Sequence, residues 1–312
     1  MTGQVMAVVA QLALVLVLSP FFTGLSRALK ARLQTRRGPG VFQPYRDLHK
    51  LLRKDMVIPD TASWIFAATP GVLFVTTLLA GLLIPTVSAK APLSLFGGVL
   101  AVVYLLALGR FFLALSGLDT GSSFGGLGSS REMTISAIAE PALMLAVFTV
   151  ALGAGSTNLS IVTQSAIGQS WHFLAPSQML AFAALFIVLI AETGRIPVDN
   201  PATHLELTMI HEAMILEYSG PYLALIEWSA AMKQLVLMTL LVNVFFPFGL
   251  SAAWSLATLL SLAAFIGKLA LLTVAVVLVE TTNAKLRLFR VPELLAVAFV
   301  LSALALISTF LF

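Results

Sequence analysis

The chain is predicted to be an all-α integral membrane protein, a bundle of about eight transmembrane helices with an amphipathic surface helix after the first. Three observations predict this. Of the 312 residues, 59% are hydrophobic and only 10% charged, and the mean hydropathy of +1.00 lies outside the soluble range. The charges gather between uncharged runs of about 20 residues, the length needed to cross roughly 30 Å of hydrocarbon as helix. None of the runs alternates in the manner of a barrel strand, so a helical bundle follows.

The spans are expected at 5–25, 65–85, 93–115, 133–153, 177–193, 215–245, 255–279 and 294–311, and residues 1–312 form one membrane domain. The first run has no charge before it and no small-residue cleavage pattern after it, which makes it a retained span and not a signal peptide. Segment 27–60 is too polar to span. Within it Val41, Tyr45, Leu48, Leu51 and Leu52 recur at helical spacing in a basic background, so an amphipathic helix should lie on the membrane there. Such a helix suits a docking partner or anionic lipid headgroups equally. Segment 116–130 is dense in Gly and Ser and lacks the spacing and Lys of a phosphate-binding loop; a tight, buried connection is expected. Nothing functional is read in 153–176, whose one ionisable side chain is His172.

Orientation follows from the basic residues. The odd-numbered loops or their edges hold Arg27, Lys30, Arg32, Arg36, Arg37, Arg46, Lys50, Arg53, Lys54, Arg110, Arg131, Arg195, Lys285, Arg287 and Arg290, against Lys90 alone in the even-numbered ones. The positive-inside rule places the odd loops in the cytoplasm and both termini outside.

Acids mark the candidate site. Glu192, Asp199, Glu206, Glu212, Glu217 and Glu227 follow one another where the surroundings are otherwise apolar, and Glu140 stands alone in the fourth span before Pro141. A charge at the bilayer centre costs roughly 3 kcal/mol on insertion scales, so clustered acids there read as an ion or proton route. Gly194, Pro197 and Pro201 interrupt the chain after Glu192, which makes 194–214 a cytoplasmic loop, with the next helix expected from about Thr203. On that helix Glu206 and Glu217, eleven residues apart, would share a face. Lys233 and Lys268 lie deeper. Opposed burial and charge effects on carboxylates and lysines would let such a chain exchange protons; alternatively, some of the acids serve as charge partners of Lys233, Lys268 or Arg195, or sit in loop water. His204 and His211, seven apart, match no metal-ligand motif and read as relay or supporting histidines, so no metal is expected. No nucleophile elbow or triad is present, and with no cysteine the chain cannot ligate a thiolate-bound cluster.

Arg36-Arg37-Gly38-Pro39-Gly40 with Tyr45-Arg46-Asp47, Ser116-Gly117-Leu118-Asp119-Thr120-Gly121, Arg131-Glu132, Glu140-Pro141, Ala191-Glu192-Thr193 with Pro197 and Asp199, and Glu217-Tyr218-Ser219-Gly220 together resemble the complex I subunit 1 family. Leu118-Asp119-Thr120-Gly121 and Ser129-Ser130-Arg131-Glu132 are similar to the formate hydrogenlyase and hydrogenase-4 branch, among the group 4 membrane-bound hydrogenase-like complexes. The resemblance implies a prokaryotic cell-membrane subunit that anchors a redox arm and links its electron transfer to proton or sodium movement. The arm would comprise large and small hydrogenase-like subunits holding the iron–sulfur clusters and any NiFe site, and antiporter-like membrane subunits would lie alongside. By the same resemblance Glu140, Glu192, Asp199, Glu206 and Glu217 match acids of the carboxylate path, to which the residue reading adds Glu212, Glu227, Lys233 and Lys268. Arg36, Arg37 and Arg46 match the basic loop beneath the arm; Asp119, Arg131, Glu132, Arg195 and His204 complete the arm-facing set. Ala202 and His204 stand where the family commonly has acids, and about three extra residues separate Glu206 from Glu217, remodelling the loop that lines the quinone chamber in complex I. Two alternatives stand beside this reading: the quinone-chamber subunit of a quinone reductase, and an independent secondary transporter with a broken helix. No nucleic-acid partner and no catalysis by the isolated chain are expected.

Overall fold

Hydrocarbon offers the backbone no hydrogen-bond partners, so apolar runs must satisfy their own amides as helix. The computed structural model describes residues 2–167, 175–199, 209–251 and 257–311. Among these the helices are α1 (Thr2–Leu33), α2 (Gln43–Leu52), α3 (Trp64–Leu83), α4 (Val99–Asp119), α5 (Ser123–Gly153), α6 (Leu159–Ile167), α7 (Pro176–Glu192), α8 (His211–Ile215), α9 (Gly220–Phe245), α10 (Ala257–Thr282) and α11 (Val291–Leu311). Seven are long and apolar enough to cross a membrane, and α7 is a shorter apolar helix of 17 residues. The protein is a multi-pass membrane protein.

Helix α9 is the hub. It packs on α1, α2, α3 and α7 and touches α10, while α3 continues through α4 to α5, and α5, α7 and α11 pack closely together. A single apolar core runs through these elements, from Phe22 and Ile84 through Val147, Leu185 and Leu241 to Phe265 and Leu295. A smaller cluster forms where Tyr218 stacks on Phe66 with ring centroids 3.9 Å apart.

The connections sort to two ends. At one end, which holds the basic segment, the Ser219 hydroxyl bonds Val57, Asp119 accepts from the Ser63 amide at 2.8 Å, and the Leu286 amide donates to Pro197. At the opposite end Ser251 pairs with Val87 and Ala89, and the Leu159 amide donates to Gly97. Polar side chains close that end: Asn243 donates to Pro85 and Thr86 at 2.8 Å each, and the Lys268 ammonium donates to Asn243 at 3.0 Å and to the Phe246 carbonyl at 2.9 Å. These contacts satisfy carbonyls in the segment that follows α3 and at the end of α9.

The Gly/Ser segment makes the tight connection expected of it, largely as helix: α4 runs to Asp119, α5 begins at Ser123, and only 120–122 turn between them. Small residues allow this. An added Cβ at Gly125 would meet the Gly117 carbonyl at 2.2 Å, and one at Gly128 would meet Ala213 at 2.9 Å, while Ser129 donates to Ala114 of α4. The third span starts at Val99 and not at 93, because 93–98 form a turn that pairs with Asn158 at the non-basic end. Helix α6 occupies part of segment 153–176, in which nothing functional is read from the sequence. The sixth span, expected at 215–245, divides into α8 and α9, since Gly220 has φ +53, packs against the Asp55 carbonyl and is followed by Pro221.

The amphipathic expectation for α2 is met. Pro44 and Leu48 are buried, the Tyr45 hydroxyl bonds the Val17 carbonyl, and Gly24 leaves room for the Val41 backbone. The helix thus lies along α1 with Arg46, His49 and Lys50 exposed.

Gly125→Ala is expected to destabilise the detergent-solubilised protein by about 1–3 kcal/mol through overpacking. Gly126→Ala, whose Cβ would meet nothing nearer than Leu118 at 3.9 Å, should hold or raise stability by up to about 1 kcal/mol. Thermal unfolding of the two variants side by side checks the opposite signs.

Candidate functional site

The basic ends of α1, α4, α5, α7, α9 and α10 enclose a cavity of about 680 Å³. Its mouth carries Arg27, Lys30, Arg36 and Arg37, and its walls carry Arg110, Glu132, Glu192, Arg195, Asp199, Glu212, Glu227, Lys233 and Glu280. Leu73, Leu106, Leu113, Ile135 and Ile226 form the apolar part of the wall.

Arg110 organises one side. It lies nine residues inside α4, is 6% exposed, and donates to Glu140 of α5 at 2.7 Å and to Glu192 of α7 at 2.5 Å. Glu132 approaches its Nε at 3.7 Å. The same Glu192 oxygen accepts from Lys233 of α9 at 2.8 Å. Four helices are therefore tied through one guanidinium and one carboxylate. A planar cation with five donors suits such branched pairing, whereas a lysine would serve as a point charge. The Glu140 side chain is 36% exposed, so this acid also faces the protein's outer surface.

A second cluster lies across the cavity. Glu280, 2% exposed near the end of α10, accepts from Arg195 at 3.1 Å and forms an ion pair with Lys30 of α1, also at 3.1 Å. Arg195 also donates to Gln234 at 2.6 Å and to Ser26 at 3.3 Å. The end of α7 sets this division. The Arg195 amide bonds Ile190 and the Gly194 amide bonds Ala191, with Gly194 at φ +58, which is a glycine-terminated helix end. That turn sends Glu192 to one cluster and Arg195 to the other.

Asp199 forms a third contact set, buried, accepting from Lys285 at 2.7 Å and from the Ile210 amide at 3.3 Å. Glu212 and His211 at α8 and Glu227 on α9 border the cavity. Glu217 stands in the exposed turn between α8 and α9. Residues 209 and 210 are not helical and α8 begins at His211, so the helix expected to carry Glu217 does not run unbroken through them, and the expected start near Thr203 lies outside the described residues. Glu206 and His204 lie outside the described residues. Lys268 is remote from the cluster, since its partner Asn243 is ten residues beyond Lys233 on α9, about 15 Å. Buried Val236, Leu237, Leu240 and Leu241 fill that interval.

Of the arm-facing candidates, Arg36, Arg37 and Arg46 are exposed at the basic end, Arg131 donates to the Met209 carbonyl at 2.8 Å, and Asp119 fixes the start of α3. Just below, Tyr218 donates to the Phe66 carbonyl at 3.0 Å, and burial pushes its hydroxyl up to about 12, so it remains a donor at neutral pH. Sequence reading missed the organising roles of Arg110, Lys30 and Glu280. Arg110 was grouped with the loop edges, although an Arg nine residues before the end of an apolar helix is itself a burial signal; Glu280 closes an apolar run in the same way.

Arg110→Gln should destabilise the protein by about 3–5 kcal/mol, because it strands buried carboxylates. The Arg110→Gln/Glu192→Gln pair should recover part of that loss in a double-mutant cycle read by thermal unfolding. Strict additivity would show that the two side chains do not interact.

Comparison with known proteins places this arrangement in context. The family model described as NADH dehydrogenase matches residues 5–311. Hydrogenase-4 component C of Escherichia coli is 39% identical over 298 residues, covering 95% of this chain and 93% of that protein. Formate hydrogenlyase subunit 4 of the same organism is 36% identical, covering 93% and 94%. An NADH-quinone oxidoreductase subunit of Syntrophotalea carbinolica is 30% identical over 81% of this chain and 82% of its own. A chain from the membrane-bound sulfane sulfur reductase, an archaeal respiratory membrane complex, superposes with a TM-score of 0.86 over 98% of this chain and 99% of that one, at 21% identity, and so shares the fold.

Proposed function

Because the chain belongs to the NADH dehydrogenase family, with the subunit 1 proteins of complex I, we propose that it is the membrane anchor and carboxylate-path subunit of a hydrogenase-like, complex I-related oxidoreductase. In this role it couples electron transfer in a peripheral arm to translocation of protons or sodium. The observation that carries the reading is the Arg110–Glu140–Glu192–Lys233 network, centred on buried Arg110 beside a cavity at the basic end. Membrane-embedded ionisable groups that pair with one another are costly and mark ion routes.

The route would enter from the cytoplasm at the basic mouth, pass Glu212 and Glu227, reach Glu192 with Lys233, and leave sideways through Glu140, whose exposure suits a neighbouring antiporter-like subunit. Asp199, Glu206 and Glu217 would belong to its arm-facing end. Arg36, Arg37, Arg46, Asp119, Arg131, Glu132, Arg195 and His204 form the proposed docking set for large and small arm subunits, with both termini on the outer face of a prokaryotic cell membrane. With no cysteine among its 312 residues the chain offers no thiolate ligand, so iron–sulfur clusters and any NiFe site would be held by those partners.

A second reading, a quinone-chamber subunit, draws on the apolar strip Leu73, Leu106, Leu113, Ile135 and Ile226. The volume of about 680 Å³ would admit a headgroup, yet small-molecule pockets place only a few polar groups in their walls, whereas thirteen charged side chains border this one. The donor set fits water and ions better.

Glu192→Gln in the purified complex, reconstituted in liposomes, should abolish ion uptake per electron delivered from reduced viologen, read with an entrapped pH dye and radioactive sodium. An undiminished ratio for both ions would sink the assignment.

A further inference from the structure

The carboxylate Glu192 and the cation Arg195 are three residues apart at the end of α7, line one cavity, and reach consecutive residues of α9, Lys233 at 2.8 Å and Gln234 at 2.6 Å. An ion pair between them would be expected from that proximity alone. It does not form, because Arg195 is drawn away to Glu280, which it shares with Lys30. Glu192 already accepts from two cations, Arg110 and Lys233. A third cation would hold it permanently as the carboxylate.

We propose that Glu280 is a positioning residue that keeps Arg195 off Glu192, and so leaves that acid free to change its charge during ion transfer. The inference rests on the function proposed for Glu192 and adds a residue to it. The physics is competition between two buried carboxylates for one guanidinium. Glu280 wins while it is ionised, because Lys30 and Arg195 approach it from different elements and the Ser26 and Gln234 oxygens fix the Arg195 fork in that direction. Around Glu280 the facing charged groups are Lys30 from α1 and Arg195 after α7; Gln234 of α9 is neutral, and α10 offers Glu280 itself. Remove the Glu280 charge and Glu192, three residues away on the wall of the same cavity, is open to Arg195, whereas the other nearby buried acid, Asp199, is held by Lys285.

A suppressor separates this role from a merely structural one. In the reconstituted complex Glu280→Gln should lose ion uptake per electron, and adding Arg195→Gln should restore it, since the guanidinium that would pair with Glu192 is then gone. A double variant no better than Glu280→Gln alone would overturn the proposal. If Glu280→Gln does not assemble with its partners, Lys30→Gln/Glu280→Gln, which removes one of the cations left behind, carries the same comparison with and without Arg195→Gln. Failure of every one of these to assemble would overturn the proposal in favour of a purely structural clamp. Glu192→Gln run alongside distinguishes the two levels: normal coupling in that variant defeats the parent reading, whereas its loss together with normal coupling in Glu280→Gln defeats only the positioning role.

Discussion

Burial of the Arg110 guanidinium constrains the rest of the basic half. A cation 6% exposed inside α4 must be neutralised where water is scarce, and the partners available are Glu140 on α5 and Glu192 on α7, with Lys233 of α9 completing the charge balance on Glu192. Breaking such a pair leaves an unpaired charge in a poor solvent, which is why the network holds helices from four parts of the chain in one register. The cavity results from this arrangement. Long charged side chains span space that apolar side chains would otherwise fill by close packing.

The opposite half obeys another rule. It contains no carboxylate among the described residues, and its polar groups serve to close helix ends: Asn243 satisfies carbonyls following α3, and Lys268 satisfies the carbonyl that ends α9. Between the two halves lies a layer of Val, Leu and Met along α9. The protein is thus charged and hollow at one end and sealed by backbone-capping polar groups at the other.

Small residues make the asymmetry possible. Gly117, Gly125 and Gly128 bring α4, α5 and α8 close enough for Arg131 to reach the Met209 carbonyl, and Gly24 does the same for α1 and the segment leading into α2. Gly194 and Gly220, both at positive φ, end α7 and begin α9 where side-chain bulk would strain the backbone. The Gly194 turn, together with the partners that hold Arg195, divides Glu192 and Arg195 between two clusters.

Much of this was legible in the residues. Length, apolar runs and the skewed distribution of Lys and Arg specify the membrane helices and the basic end, because insertion cost depends on composition over about 20 residues and not on neighbours. Glu140 and Glu192 stood out for the same reason. What the sequence could not specify was pairing. Glu217 read as membrane-facing because apolar residues follow it, but Gly220 and Pro221 delay the helix and leave it in an exposed turn. Arg110 read as a loop edge, Lys30 as one of the basic residues that set orientation, and Glu280 was not singled out, since their meaning depends on partners 30 to 250 residues away in the chain. Local composition decides which segments enter the membrane, and only tertiary packing decides which buried charges meet, because ion pairing at 3 Å is a property of helices brought side by side.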